Sequence, residues 1–177
     1  MTSSILRTRR LVLEPYVPED EDSFVSLFQD GRVSRWMGDG LNPEEEDRAM
    51  FGRIFSKVYA RDLFDIWAVR RDGVYVGHGE IKPAELVEGH EIVYALAEPA
   101  WGAGLGTELA EALVDYGFGT LGLAEVHATV AAPNGASLRL LARIGFAHVR
   151  DVGEEDGSVT RVLTVRRGGR DGRGAGG

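Results

Sequence analysis

The chain has 177 residues, of which 44% are apolar, and it carries a net charge of −8 with a pI near 5.0. This size and composition predict one globular domain with a buried core. The negative charge argues against nucleic-acid binding, which depends on Lys and Arg to neutralise phosphates. An acidic surface suits a cationic acceptor, although many soluble proteins are acidic for solubility alone.

Cysteine is absent, which excludes disulfides, thiolate metal sites and a cysteine nucleophile. The first six residues lack the apolar stretch of a secretory leader, and no apolar run approaches the roughly 18 residues that a membrane span requires. We therefore expect a cytoplasmic protein without a membrane partner.

A strand and two helices are predicted before residue 61. Residues 5–14 have the apolar content of a strand, which ends at Pro15. The acidic run at 19–22 suits the positive end of a helix dipole, and apolar residues follow it at helical spacing. A second helix is predicted to begin with Asn42 as N-cap and Pro43 as its first residue. Its buried stripe would comprise Met50, Phe51, Ile54 and Val58.

The pattern then changes to alternation. Residues 63–69 and 74–77 flank the turn Arg71-Asp72-Gly73 and predict a hairpin, whereas 82–89 is polar and predicts a loop. Further along, the periodicity predicts a strand at 91–96, an amphipathic helix at 107–118, a strand at 125–130, a short helix ending at Gly145, and a hairpin formed by 146–152 and 159–165.

This intermixing of strands and helices predicts an α/β domain with a mixed sheet over residues 1–165. The last twelve residues, 166–177, hold six glycines and four arginines without an apolar period. Such a segment cannot bury enough surface to order itself, so it is predicted to be a disordered tail.

Three glycines at alternate positions mark the turn between the strand at 91–96 and the helix that follows it. Gly102, Gly104 and Gly106 allow a tight turn with inward backbone N–H groups, and the helix that opens at Thr107 adds the positive end of its dipole. Such a turn favours a phosphate, although many turns are glycine-rich for steric reasons alone. The spacing of these glycines does not match the dinucleotide pattern. The P-loop is excluded because it requires a lysine after its last glycine, where this chain has Thr107.

These residues resemble the signature of the GCN5-related N-acetyltransferase (GNAT) family, Q/R-x-x-G-x-G/A between the fourth strand and the next helix. Trp101-Gly102-Ala103-Gly104-Leu105-Gly106 has Trp in first position, and with Thr107-Glu108 it resembles the RimJ/RimL-type ribosomal-protein N-terminal acetyltransferase branch. Asn134-Gly135-Ala136-Ser137, the later Gly145-Phe146, and the opening Leu6 to Leu13 also match. The likeness runs from about residue 6 to about residue 165.

The resemblance implies a central, mostly antiparallel mixed sheet with splayed fourth and fifth strands, flanked by about four helices. The pantetheine arm of acetyl-CoA would lie in that gap and pair with the backbone of Leu96 and Ala97, and the Leu96 N–H would polarise the thioester carbonyl. The diphosphate would be held by Trp101, Gly102, Ala103, Gly104, Leu105, Gly106 and Thr107. No metal is expected, since the histidines lack metal-ligand spacing.

Direct attack of an amine on the thioester requires a base for the ammonium and an acid for the departing thiolate. Many relatives use a tyrosine as the acid, whereas the motif region here offers Asn134 and Ser137. Asn134 is therefore predicted to position the cofactor or the acceptor, and Ser137 to hydrogen-bond the sulfur. Both also fit an ordinary helix N-cap and first turn. Glu91 is the candidate base, with His78 and Glu80 as further candidates, and each of the three also fits a solvated strand face.

The resemblance therefore implies an acetyl-CoA-dependent N-acetyltransferase that acts through a ternary complex. Its acceptor would be an amine-bearing small molecule or a protein N-terminus, and a homodimer is left open. Two alternatives stand beside it: a non-catalytic CoA-binding sensor module, and an acyltransferase that uses another donor such as succinyl-CoA.

Overall fold

The N-terminal segment is a β-hairpin in this computed structural model, which describes residues 3–38 and 40–169. Strands β1 (Leu6–Arg7) and β2 (Val12–Glu14) pair antiparallel. The prediction of one strand over 5–14 is therefore wrong. Thr8 turns the chain, because its N–H donates to the Leu11 carbonyl at 2.9 Å and its hydroxyl accepts from the Leu11 N–H at 3.0 Å.

The helical part of the chain follows the hairpin. A 3₁₀ turn (Pro18–Asp20) leads into α1 (Glu21–Gln29) and then α2 (Gly31–Ser34), and α3 (Glu44–Arg53) continues into a π-helical turn (Ile54–Tyr59). Helix α3 begins one residue later than predicted, with Pro43 as its N-cap in place of Asn42.

The buried face of α3 and of the π-helical turn after it is formed by Phe51, Ile54 and Val58, as predicted, whereas Met50 is exposed. Spacing at i, i+3 and i+7 puts the three buried residues on one face, and that face packs on the cluster around Tyr16. This orientation turns Met50 toward solvent. No helix of the described residues is long and apolar enough to cross a membrane.

Strands β3 (Asp65–Arg71) and β4 (Val74–Pro83) form the predicted hairpin, with Asp72 and Gly73 at positive φ in the turn. Strand β4 extends six residues beyond the predicted 74–77, so the predicted loop is shorter. Gly77 and Gly79 interrupt the apolar alternation of this strand, so the sequence pattern did not predict its full length. A Cβ at Gly77 would lie 2.3 Å from the Ala95 carbonyl oxygen, so close approach to the neighbouring backbone requires glycine inside this strand.

The remaining elements match the predicted order, except that the helix after the glycines begins two residues earlier. Gly145 has a φ of +107° and follows the C-cap Ile144, as predicted for a helix end. Strand β8 includes Arg166, a 3₁₀ turn spans Arg167–Gly169, and the rest of the predicted tail lies outside the described residues. The elements are β5 (His90–Leu96), α4 (Leu105–Gly119), β6 (Glu125–Ala131), α5 (Gly135–Arg143), β7 (Ala147–Gly153) and β8 (Val159–Arg166).

The eight strands found in the described residues form one open sheet in the order β1-β2-β3-β4-β5-β6-β8-β7. Antiparallel pairing dominates, whereas β5 and β6 run parallel with Glu91 opposite His127. The predicted α/β class and mixed, mostly antiparallel sheet are confirmed. The adjacent parallel strands are those predicted at 91–96 and 125–130.

Two compact units make up the described chain. The N-terminal unit contains the residues up to Ile81 together with Val93–Leu109, and the C-terminal unit contains Lys82–Ile92 and the chain from Ala110 onward. The core of the N-terminal unit is aromatic: Tyr16, Phe24 and Phe51 pack against one another with centroids 5.3 to 5.7 Å apart. Each such pair contributes about 0.5–1.5 kcal/mol beyond its buried area. Most buried side chains of the C-terminal unit are aliphatic, among them Val126, Leu141 and Val162.

Candidate active site

The loop between β5 and α4 has the backbone conformation of an anion-binding turn. Gly102 and Gly104 have φ values of +77° and +76°, which residues with a Cβ adopt only at a cost of roughly 1–2 kcal/mol. A Cβ at Gly102 would meet nothing within 4 Å. The Gly104 carbonyl accepts from the Glu108 N–H at 3.2 Å, so the helix opens immediately after Gly104, with its positive dipole end at the loop.

Gly106 and Thr107 lie inside the first turn of α4, which begins at Leu105. The predicted three-glycine loop therefore has two glycines in left-handed conformation and a third in the helix. Because the first-turn N–H groups of a helix point toward its N-terminal end, Gly106 and Thr107 still belong to the anion-facing end of α4.

Glu108 anchors this loop to the N-terminal hairpin. Its carboxylate accepts hydrogen bonds from the Thr8 hydroxyl at 2.6 Å, the Arg10 N–H at 2.8 Å and the Arg10 Nε at 2.9 Å. Arg10 Nη1 also donates to the Ala103 carbonyl at 2.7 Å. Two segments that separately carried the family resemblance, the opening around Thr8 and the run ending in Glu108, are thus parts of one hydrogen-bonded structure.

Burial would raise the pKa of the Glu108 carboxyl, but the hydrogen bonds from Thr8 and Arg10 outweigh it and lower the pKa below its ordinary value. A carboxyl whose pKa is lower in the folded state stabilises the protein above its unfolded pKa and loses this contribution as the pH falls through the folded pKa.

The variant Glu108→Gln is therefore expected to unfold more easily than the wild-type chain at pH 7, by about 1–3 kcal/mol for the lost charged hydrogen bonds. This difference should shrink as the pH falls below 4.5, the carboxyl's ordinary pKa. Urea denaturation at several pH values measures it. Glu111→Gln on the same helix is the control, and an equal, pH-independent loss in both variants would contradict the anchoring role.

The end of β5 is held by two hydrogen bonds. Trp101 Nε1 donates to the Leu96 carbonyl at 2.7 Å, and the Ala97 N–H donates to the Val76 carbonyl at 2.8 Å. Leu96 and Ala97 were predicted to pair with a pantetheine arm. Pairing through the Leu96 carbonyl or the Ala97 N–H would require these protein hydrogen bonds to be exchanged.

An acidic cavity of about 340 Å³ opens beside the end of β5. Asp30 and Glu98 lie in its wall and form salt bridges of 2.8 and 2.7 Å with Arg32. Hydrogen bonds from the Arg32 guanidinium lower the pKa of both carboxyls, so both are ionised at neutral pH. The same guanidinium lies 5.2 Å from the centroid of the Trp101 ring. The cavity is lined by Ser23, Ser26, Leu27, Asp30, Tyr75, Ala97, Glu98 and Pro99.

The candidate bases of β4 lie in a buried polar network. His78 is 2% exposed, and its Nε2 lies 2.7 Å from Glu80 Oε1. Its Nδ1 lies 2.7 Å from the Tyr16 hydroxyl, which in turn lies 2.8 Å from the Tyr75 hydroxyl. The alternative that His78 belongs to a solvated face is wrong. Sequence reasoning missed both tyrosines, because Tyr16 lies 62 residues from His78 and no local pattern links them.

The other predicted catalytic residues belong to the C-terminal unit. Asn134 is the N-cap of α5, and its Oδ1 accepts from the Ser137 N–H at 3.3 Å, so the capping interpretation is confirmed. Glu91 is 8% exposed and accepts a long hydrogen bond of 3.4 Å from the Thr129 hydroxyl. A solvated face is therefore wrong for Glu91 as well. Within residues 3–38 and 40–169 there is no group of three potential metal ligands.

Residues 10–147 match the model of the acetyltransferase (GNAT) domain. The chain belongs to the GNAT acetyltransferase family. The predicted family and enzyme class, N-acetyltransferase, are thereby confirmed. A curated relative from Bacillus subtilis, the uncharacterized N-acetyltransferase YoaA, is 30% identical over 146 residues, covering 80% of this chain and 82% of the relative.

A second relative of this GNAT protein is the FsC-acetyl coenzyme A-N(2)-transacetylase of Aspergillus fumigatus, 29% identical over 178 residues, with 90% of this chain and 75% of the relative covered. Among solved structures, RimJ of Mycobacterium smegmatis in complex with CoA-disulfide superposes with a TM-score of 0.76 at 20% identity, covering 89% of this chain and 82% of RimJ. The fold resemblance to the RimJ/RimL-type branch is therefore confirmed.

Proposed function

We propose that this GNAT protein transfers the acetyl group of acetyl-CoA to a primary amine by direct attack in a ternary complex. The observation that carries the proposal is the left-handed turn at Gly102 and Gly104 before α4, a backbone cradle suited to a diphosphate. The name of the Aspergillus relative supports acetyl-CoA as the donor, since it specifies acetyl coenzyme A. RimJ supports it as well, since its structure contains a CoA species.

The donor would be held by the loop from Trp101 to Thr107 and by the end of β5. The loop grips the diphosphate, while the pantetheine arm takes over backbone hydrogen bonds at Leu96 and Ala97 from their protein partners. The Leu96 N–H then donates to the thioester oxygen as it gains negative charge. A fixed donor of this kind contributes about 2.7–4 kcal/mol to transition-state stabilisation.

The acceptor would enter the acidic cavity as an ammonium. Asp30 and Glu98 supply two ionised carboxylates, and Ser23 and Ser26 supply hydroxyls for hydrogen bonds. Arg32 already neutralises part of that charge, so the cavity favours an amine that shares or displaces this guanidinium. An amine-bearing small molecule and a protein N-terminus both meet this requirement.

In the transfer step, the neutral amine nitrogen forms a bond to the thioester carbon as the carbon–sulfur bond breaks. We propose that Glu91 accepts a proton from the amine, that the Ser137 hydroxyl donates to the departing sulfur, and that Asn134 positions the reactants. CoA leaves as the thiol, Glu91 releases the amine proton to water, and Ser137 regains a proton from water. Acid catalysis at the sulfur would contribute about 10²-fold or more to the rate.

The Asn134 cap makes the choice of variant important. Asn134→Ala would weaken α5 by about 1 kcal/mol whatever its catalytic role, because it removes the cap. Asn134→Asp retains a capping oxygen, removes the amide N–H₂ and adds a negative charge, which the N-terminus of a helix accommodates. We expect Asn134→Asp and Ser137→Ala to keep the melting temperature of the wild-type chain.

Free-thiol release with acetyl-CoA and a primary amine measures the catalytic effect of the two variants. Ser137→Ala should lower kcat by about 100-fold, the lower end for general acid catalysis. Wild-type rates in both variants would refute the assigned roles and leave Asn134 as a cap alone.

The test of the function itself combines calorimetry with a screen of amine acceptors. Binding of acetyl-CoA together with CoA release that depends on an amine supports the enzyme. Binding without release for any amine would favour the non-catalytic sensor, and faster release from succinyl-CoA would favour another donor. Absence of binding to both acetyl-CoA and CoA would contradict the proposal.

A further inference from the structure

The buried network around His78 contains three short hydrogen bonds in series, which link Tyr75, Tyr16, His78 and Glu80. A carboxylate at Glu80 can only accept a hydrogen bond, and opposite such a carboxylate His78 Nε2 carries the proton that joins them. In a neutral imidazole Nδ1 is then an acceptor, so the Tyr16 hydroxyl must donate to it. The Tyr16 oxygen is left to accept from the Tyr75 hydroxyl. With Glu80 as a carboxylate and His78 as a neutral imidazole, all three hydrogen bonds point from Tyr75 toward Glu80.

The two ends of this chain of hydrogen bonds lie in different surroundings. Tyr75 lines the acidic cavity proposed for the acceptor amine. Tyr16 and His78 are buried, at 3% and 2% exposure. The Glu80 side chain is 16% exposed and reaches water. The network thus connects the cavity to solvent through groups that water does not surround.

We propose that Tyr75, Tyr16, His78 and Glu80 form a proton relay that removes the proton of an ammonium bound in the acidic cavity. This inference rests on the proposed function. It assigns the route by which the acceptor becomes a neutral nucleophile, in addition to the base at Glu91. Tyr75 would touch the amine directly or through one water, and the other three act through it as positioning and relay residues.

The proton balance of the relay closes. The ammonium N–H bond breaks and its proton binds the Tyr75 oxygen, as the Tyr75 proton moves to the Tyr16 oxygen. The Tyr16 proton moves to His78 Nδ1, and the His78 Nε2 proton moves to Glu80 Oε1. Each tyrosine and the histidine end neutral, the amine has lost one proton, and Glu80 has gained one that it can release to water.

Burial suits the tyrosines to this role. It raises the pKa of Tyr16 well above its ordinary value, with the neighbouring Tyr75 as the next cause, and it raises the pKa of Tyr75 as well. Neither hydroxyl is therefore ionised near neutral pH. When a tyrosine oxygen accepts a proton from one neighbour, it must donate its own proton to the next. The charged and titratable groups that surround the relay are Asp20, Tyr59, Asp65 and Arg70.

The variant Tyr16→Phe interrupts the relay and keeps the ring that packs on Phe24 and Phe51. Tyr59→Phe is the matched control, since it removes a buried hydroxyl of the same cluster that bonds to backbone at Ile66 and Tyr16, off the route. The rate of CoA release is measured against pH with spermidine and with a short peptide that has a free N-terminus.

Without the relay, the enzyme must capture the small neutral fraction of the amine from solution. We expect kcat/KM of Tyr16→Phe for the amine to fall by about 10–100-fold near pH 7, with the KM for acetyl-CoA unchanged. Its pH profile should rise to the pKa of the free amine, whereas the wild-type profile levels off at lower pH. Tyr59→Phe should retain the wild-type profile.

Identical profiles for Tyr16→Phe and Tyr59→Phe would overturn the relay while leaving the proposed function intact. A wild-type chain that releases no CoA with either amine would overturn both. Nitrogen-15 NMR of labelled histidine gives a readout independent of turnover. The relay requires the Nε2–H tautomer of His78 at neutral pH, and an Nδ1–H tautomer would refute its direction.

Discussion

Replacement of Gly104 by tryptophan is expected to abolish binding of acetyl-CoA. Gly104 has a φ of +76°, so a residue with a side chain at this position has a backbone strain of roughly 1–2 kcal/mol. Its Cβ would lie 3.5 Å from Arg10 Nη2, and the indole beyond it would occupy the turn in front of α4. We expect the Kd for CoA, measured by calorimetry, to rise by more than about 100-fold, which corresponds to roughly 3 kcal/mol.

The control for this variant is Gly157→Trp. Gly157 has a φ of +87° in the turn between β7 and β8, and a Cβ there meets nothing within 4 Å. Gly157→Trp therefore introduces comparable backbone strain without contacting the loop between β5 and α4. Unchanged CoA affinity in Gly104→Trp, or an equal loss in Gly157→Trp, would show that the turn does not hold the diphosphate.

The largest loss of stability is expected from Arg70→Ala. The Arg70 guanidinium donates to both carboxylate oxygens of Asp20 at 2.8 Å and to Glu14 Oε1 at 2.5 Å. Asp20 is 6% exposed, so loss of the guanidinium leaves a buried carboxylate without its cation. Removal of one partner from such a pair costs about 3–5 kcal/mol, which urea denaturation at pH 7 would measure.

Two comparisons separate this charge effect from a general loss of packing. In the double variant Arg70→Ala with Asp20→Asn the buried charge is absent, so part of the lost free energy of unfolding should return. Arg53→Ala, at an exposed position of α3, should change the free energy by less than about 0.5 kcal/mol. Additive losses in the double variant would argue against a buried ion pair.

Local patterns predicted the elements whose signals are contiguous in sequence. The helix α4, the strands β5 and β6, and the C-terminal hairpin follow from apolar periodicity and from turn residues such as Gly145. The left-handed turn followed from Gly102 and Gly104 for the same reason, since left-handed glycines before a helix are a local feature. Elements that depend on distant contacts were harder to predict.

The N-terminal hairpin and the length of β4 illustrate this limit. Thr8 turns the chain where propensity alone favours one strand, and its hydroxyl is also bound by Glu108, a hundred residues away. Gly77 interrupts the apolar alternation of β4 because the backbone of β5 lies against it. In both cases the deciding neighbour is distant in sequence.

The candidate site shows the same division. The cap at Asn134 and the left-handed turn at Gly102 and Gly104 depend on local sequence and were predicted. The acidic cavity combines α1, Tyr75 and the segment after β5, which are distant in sequence. The polarity of Glu91 and His78 suggested solvated faces, but the sheet buries both. Only the fold reveals that the Tyr16 hydroxyl forms one hydrogen bond with Tyr75 and another with His78.

The position of Trp101 makes its intrinsic fluorescence sensitive to the surroundings of the loop. Trp67 is fully buried and donates its indole N–H to the Ser4 carbonyl, so it emits from an apolar core. Trp101 is 44% exposed, with its indole N–H on Leu96 and the Arg32 guanidinium against its ring. Trp36 is half-buried with the Arg35 guanidinium 4.6 Å from its ring centroid, so the variant Trp36→Phe removes its emission. In that variant, ligands that displace either neighbour of Trp101 should change its emission, which would then report occupancy of the loop.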